Sequence, residues 1–226
     1  MIRVKICGLN DEAGVAAAVA GQADWIGFVF FPPSPRAILP ARAAALSATA
    51  PSRCDGGPAR VGLFVRPTMD DIARALDGVP LDALQLYDVA DPAAIRDRFG
   101  VAVWRALGVA TADDLPRTDG GADALLIESQ PPPGATRPGG NARPLDWTMF
   151  AGWRAPCPWL LAGGLTPATV GDAIAASGAK AVDVSSGVET APGRKDPALI
   201  AAFIAAAREA GQPTEDAALG DAARGE

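Results

Sequence analysis

The sequence predicts an α/β fold closed into a (β/α)8 TIM barrel. Three observations carry that expectation. Short β-rich runs recur about every 25–30 residues, with helix-like stretches between them. Several runs are apolar throughout, as in Trp25–Phe30 and Trp159–Ala162, which suits parallel strands buried on both faces. The 226 residues hold eight such alternations, about what a closed barrel needs. An open doubly wound sheet is the alternative topology. Cys7-Gly8-Leu9-Asn10 after the first run has one glycine, so the dinucleotide fingerprint of many such sheets is missing.

Taken in order, Ile2–Cys7 reads as the first strand, followed by the Ala/Val-rich segment Asp11–Ala20. Trp25–Phe30 precedes Ala41–Ala48. Val61–Val65 precedes Met69–Leu76, whose first turn carries Asp70 and Asp71. Leu81–Leu86 leads to Pro92–Arg98, and Val101–Leu107 to a weak helix at Ala112–Leu115. Ala124–Glu128 is followed by a long loop and then Leu145–Trp153. Pro158–Ala162 precedes Pro167–Ala176, with Thr166 as N-cap and Pro167 as first helical residue. Ala181–Val184 precedes Pro197–Ala207. One domain over residues 1–210 is expected, with 211–226 as a flexible acidic tail.

Composition narrows the chemistry. Half the chain is hydrophobic, which excludes disorder as its main theme. The net charge is −6, and from Gln212 onward one basic residue faces four acidic ones. The body is nearly balanced and shows no basic face, so nucleic acid is not an expected partner. Histidine is absent, which removes Ser-His-Asp triads, Cys-His pairs and histidine metal sites. Acid–base work falls to Cys, Asp, Glu, Lys or Tyr. Cys7, Cys54 and Cys157 lack C-x-x-C spacing, so neither a disulfide framework nor a zinc site is expected. Met1–Cys7 carries no signal-peptide pattern, and the longest uncharged run, Ala155–Gly171, is broken by three prolines. A soluble cytoplasmic protein without a membrane partner is expected.

In such a barrel, function gathers where strands end. Cys7 ends the first strand; it is a small core residue or, as thiolate, a base. Arg36 follows strand two in a loop stiffened by Pro32, Pro33 and Pro35, either solvated or held to grip a carboxylate or phosphate. Glu128 closes strand six as a rim contact or as an acid with a raised pKa. Asp183 lies between Val182 and Val184, so it must point into the barrel or be paired. Gly163-Gly164 after strand seven and Ser185-Ser186-Gly187 after strand eight would expose backbone N–H groups at helix N-termini, suited to phosphate. Two tight turns without a ligand are the bland alternative. The loop Ser129–Pro144 is long enough to serve as a lid, or is disordered.

Several segments in this order resemble the phosphoribosylanthranilate isomerase family. They are Val4-Lys5-Ile6-Cys7-Gly8-Leu9, Ile26–Phe30 with Ser34-Pro35-Arg36, Val61–Val65, Leu84-Gln85-Leu86, Leu160–Leu165, Val182–Glu189, and Pro192-Gly193 with Lys195-Asp196. The likeness spans residues 2 to 208. It implies a barrel without cofactor or metal, acting as a single chain or a pair. It also implies the Amadori rearrangement of N-(5-phosphoribosyl)anthranilate to 1-(2-carboxyphenylamino)-1-deoxyribulose 5-phosphate in tryptophan biosynthesis. By the resemblance, Cys7 is the general base and Glu128 stands where the general acid does. Arg36 meets the anthranilate carboxylate, and Asp183 lies near the sugar hydroxyls or amine. Gly163, Gly164, Ser185, Ser186 and Gly187 hold the phosphate.

Three departures stand out. The family's acid is normally aspartate, whereas this chain has Ile127-Glu128. The usual Gln-Leu-His-Gly closing strand four reads Gln85-Leu86-Tyr87-Asp88. The glycine-rich lid reads Gly139-Gly140-Asn141-Ala142. A divergent isomerase of another phosphorylated aminosugar, and a barrel that binds a phosphometabolite without turnover, remain open alternatives.

Overall fold

The computed structural model describes residues 1–132, 134, 139 and 145–212. Eight parallel strands close into a barrel in chain order. They are β1 (Arg3–Cys7), β2 (Trp25–Val29), β3 (Ala59–Val65), β4 (Ala83–Tyr87), β5 (Ala102–Val109), β6 (Ala124–Ser129), β7 (Trp159–Leu161) and β8 (Ala181–Val184). The ring shuts where β1 meets β8, with Lys5 in register with Asp183. The described helices are α1 (Glu12–Ala20), α2 (Pro40–Ala48), α3 (Met69–Gly78), α4 (Pro92–Phe99), α5 (Val170–Ser177) and α6 (Pro197–Glu209). Among the described residues no helix is long and apolar enough to cross a membrane.

Local chemistry sets most helix starts. Asp11 accepts from the Gly14 N–H at α1, and Thr68 with Asp71 forms a capping box at α3. Asp91 and Asp196 cap α4 and α6, each followed by a proline in the first turn. Alternate strands carry a second aspartate device. Asp24, Asp82 and Asp123, each just before an even strand, accept from the Val4, Arg60 and Val103 N–H groups of the preceding odd strand, at 2.7, 2.7 and 2.8 Å. A one-residue slip would break all three bonds and turn every side chain to the wrong face, so they pin the register.

The core has two parts. Outside the barrel, Ile200, Phe203 and Ile204 of α6 pack with strand residues such as Val4. Inside, Trp25 and Trp104 meet edge to face at 5.3 Å and, with Leu126 and Leu160, form an apolar floor. Strand alternation places Lys5 and Cys7, Gln85 and Tyr87, Glu128 and Asp183 on inward faces above it.

Three expectations need correction. Ala112–Leu115 and Leu145–Trp153 hold only 3-10 turns, Ala112–Asp114 and Trp147–Phe150. The first segment carries two aspartates and no apolar stripe to bury. The helix expected from Pro167 starts at Val170, because the Thr166 and Thr169 hydroxyls bond each other and the chain turns first. A two-stranded hairpin, β9 (Glu189–Ala191) with β10 (Arg194–Lys195), follows β8. The expected tail from residue 213 onward lies outside the described residues.

Candidate active site

One cavity opens at the C-terminal end of the barrel. Cys7, Arg36, Glu128, Gly163, Gly164, Asp183, Ser185, Ser186 and Gly187 all line it. The structure therefore brings together every residue singled out from the sequence. Gln85 and Tyr87 share the wall. Of the loop 129–144, Gly139 also reaches the cavity, whereas 133, 135–138 and 140–144, most of the expected lid, lie outside the described residues.

Cys7 stands at the closing seam. Its carbonyl accepts from Ser185 Oγ at 3.1 Å. Beneath it Lys5, fully buried, donates from Nζ to Asp183 Oδ1 at 2.8 Å. Gly27 makes room for this ammonium: a Cβ there would lie 3.1 Å from both Cys7 Sγ and Lys5 Nζ. Burial pushes the Cys7 thiol above its ordinary value; Asp183 adds to the rise, while Lys5 and Lys195 oppose it. Burial works against the Lys5 ammonium, but Asp183 and Cys7 outweigh it and hold its pKa above the usual value. Lys5 is thus a fixed positive charge beside the thiol.

Arg36 is held, not solvated. Its Nε and Nη2 donate to Glu189 Oε1 and Oε2 at 2.6 and 2.8 Å. Lys195 Nζ shares Glu189 Oε1 at 2.7 Å and donates to the Ser185 carbonyl at 2.8 Å. Burial raises the Glu189 carboxyl, but Arg36 and Lys195 bring it below its ordinary range. The arginine expected to meet a ligand carboxylate already carries one from the protein, leaving Nη1 without a hydrogen bond among the described residues.

Across the cavity, Tyr87 Oη donates to Glu128 Oε1 at 2.5 Å, and Gln85 Nε2 donates to Tyr87 Oη at 3.3 Å. Burial and the neighbouring Glu128 push the phenol well above its ordinary pKa. Asp88, where a glycine was noted in the family pattern, adopts a left-handed φ of 54°. Aspartate tolerates that region better than most side chains.

The two small-residue loops expected to hold phosphate differ in one respect from that expectation. Neither Gly163-Gly164 nor Ser185-Ser186-Gly187 opens directly onto an α-helix. Turns separate the former from α5, and the last two residues of the latter already belong to a 3-10 turn, Ser186–Val188. Gly163 and Gly164 adopt φ of 83° and 69°, which side chains rarely take. A Cβ on Gly187 would collide with the Leu165 carbonyl, so the two loops interlock at that atom. Gly187→Ala must pry them apart. Inorganic phosphate, measured as a competitive inhibitor, is expected to bind it at least ~10-fold more weakly, since displaced donors lose charge-assisted hydrogen bonds.

The comparisons with known proteins bear on this arrangement. Residues 4–206 match the family profile described as N-(5'phosphoribosyl)anthranilate (PRA) isomerase. The chain belongs to this family. The isomerase of Acidiphilium cryptum is 55% identical over 211 residues, covering 93% of this chain and 100% of the relative. Among solved structures, the PRA isomerase complexed with reduced 1-(o-carboxyphenylamino)-1-deoxyribulose 5-phosphate is 32% identical, with a TM-score of 0.77. It covers 92% of this chain and 100% of that one. Monomers generated from the dimeric PRA isomerase of Thermotoga maritima are 33% identical, with the same TM-score and the same coverages. Lys5, Glu189 and Lys195 received no role from sequence reasoning. Among the described residues no group of three His, Cys, Asp or Glu side chains is placed to hold a metal ion.

Proposed function

We propose that this chain converts N-(5-phosphoribosyl)anthranilate to 1-(2-carboxyphenylamino)-1-deoxyribulose 5-phosphate, the isomerase step of tryptophan biosynthesis. The observation that carries the reading is a thiol, a carboxyl group and two small-residue loops around one cavity in a PRA isomerase barrel. Glu128 protonates the furanose ring oxygen, so the ring opens to a Schiff base. Cys7 removes the C2 proton, and the electron pair moves into the Schiff-base cation to give an enolamine. Tautomerisation yields the ketone. The cation is its own electron sink, so no step requires a metal. Asp183, paired with Lys5, faces the sugar hydroxyls or amine. The loops around Gly163-Gly164 and Ser185-Ser186-Gly187 hold the phosphate. One domain, 1–210, with an acidic extension and a cytoplasmic location, completes the reading.

Mixing the purified protein with freshly made substrate and following the decay of anthranilate fluorescence tests it. Steady decay is expected; none at high enzyme concentration would remove the activity.

Arg36→Ala is expected to weaken substrate binding more than turnover, read as a raised KM. It also breaks a buried bidentate pair while Lys195 still faces Glu189, a loss of about 2–3 kcal/mol in urea unfolding. The sign with pH follows from Glu189. A carboxyl whose pKa is lowered on folding stabilises above its unfolded pKa, and that contribution disappears as pH falls through the folded value. The stability gap between wild type and Arg36→Ala should therefore narrow in acid.

A further inference from the structure

We propose that Tyr87 is a positioning residue that holds the long Glu128 side chain at the barrel mouth, with Gln85 anchoring the phenol from behind. The proposal rests on the isomerase reading above and concerns how this chain works with glutamate in place of aspartate.

Three observations carry it. First, the hydrogen bonds form one chain across the mouth. Gln85 Nε2 donates to Tyr87 Oη, and the phenol spends its single hydrogen on Glu128 Oε1. Gln85 Oε1 has no partner among the described residues, so nothing else fixes that amide. Second, the reach is unobstructed. β5 lies between β4 and β6, and the residue in register with Glu128 is Gly108, which has no side chain. From above, a Cβ on Gly139 would collide with both Glu128 Oε1 and Tyr87 Oη, so this glycine lets the pair meet. Third, glutamate has one more rotatable bond than aspartate, and a carboxyl group displaced by ~1 Å can cost ~100-fold in rate. A buried phenol from a rigid strand removes that freedom.

Tyr87 is the single tyrosine of the chain, which makes it its own probe. Fluorotyrosine incorporated in its place gives one fluorine resonance, whose titration reports that phenol alone. In Glu128→Gln the phenol is expected to ionise at lower pH than in wild type, since the carboxylate that opposes ionisation is gone. The kinetic arm uses Tyr87→Phe, which keeps the ring and removes only the donor. Its kcat is expected to fall ~10- to 100-fold while KM stays within about twofold. Glu128→Asp should remove the need for the phenol, so Tyr87→Phe/Glu128→Asp should turn over no more slowly than Glu128→Asp alone. Unchanged phenol titration in Glu128→Gln, wild-type kcat in Tyr87→Phe, or fully multiplicative losses in the double variant would each overturn the proposal. A wild type without turnover would instead sink the isomerase reading and its kinetic arm, while the fluorine titration would still decide whether Tyr87 holds Glu128.

Discussion

Cys7→Ala is expected to lose about three orders of magnitude in kcat, with KM nearly unchanged, in the anthranilate fluorescence assay. The alanine keeps the small apolar volume at the end of β1 and removes the sulfur that lines the cavity. The nearby lysines are engaged elsewhere. The Lys5 ammonium is committed to Asp183, and Lys195 to Glu189 and Ser185. The same assignment fixes a pH dependence. The base works as thiolate, and burial raises the thiol above its ordinary value of 9.0. The active form needs the Cys7 thiolate together with the Glu128 carboxylic acid, so kcat/KM should be bell-shaped, with its alkaline limb set by the raised thiol. Lys5→Met removes the charge that most opposes the rise, and the alkaline limb should move to still higher pH. Full activity in Cys7→Ala would end the assignment of the base.

Glu128→Ala is expected to cost ~100- to 10,000-fold in kcat, the range for losing a positioned general acid. The variant keeps the loops proposed to hold phosphate and the Arg36–Glu189–Lys195 cluster, so phosphate inhibition should stay within about twofold of wild type. That separation matters, because a folding defect would weaken both. Turnover near wild type in a folded Glu128→Ala would transfer the acid role to another group.

The barrel was legible because its strands announce themselves. Trp25–Val29 and Ala124–Ile127 are apolar on both faces, as only strands with helices outside and side chains inside need to be. The 3-10 turn at Trp147–Phe150 was not, since a short apolar run fits a helix or a turn equally well. At the site, Cys7, Glu128 and Asp183 were readable as polar groups ending or interrupting apolar strands. Lys5 obeys the same logic, two residues before Cys7 on the same face, and was the missed signal. The partnership of Arg36 with Glu189 had none. It joins residues 153 apart, through a hairpin that no local pattern separated from the loop after β8.

The ring closes through its first and last strands, and the cavity sits on that joint. Lys5 with Asp183, and Cys7 with Ser185, are each 178 positions apart in the chain. Contacts of such span form late, since a long stretch of polypeptide must first give up its freedom to bring the two ends together. Recovery of turnover during refolding should then trail the return of helical signal, and the enzyme becomes a reporter of its own final stitch. Severed halves, however well structured each is, stay silent until they meet.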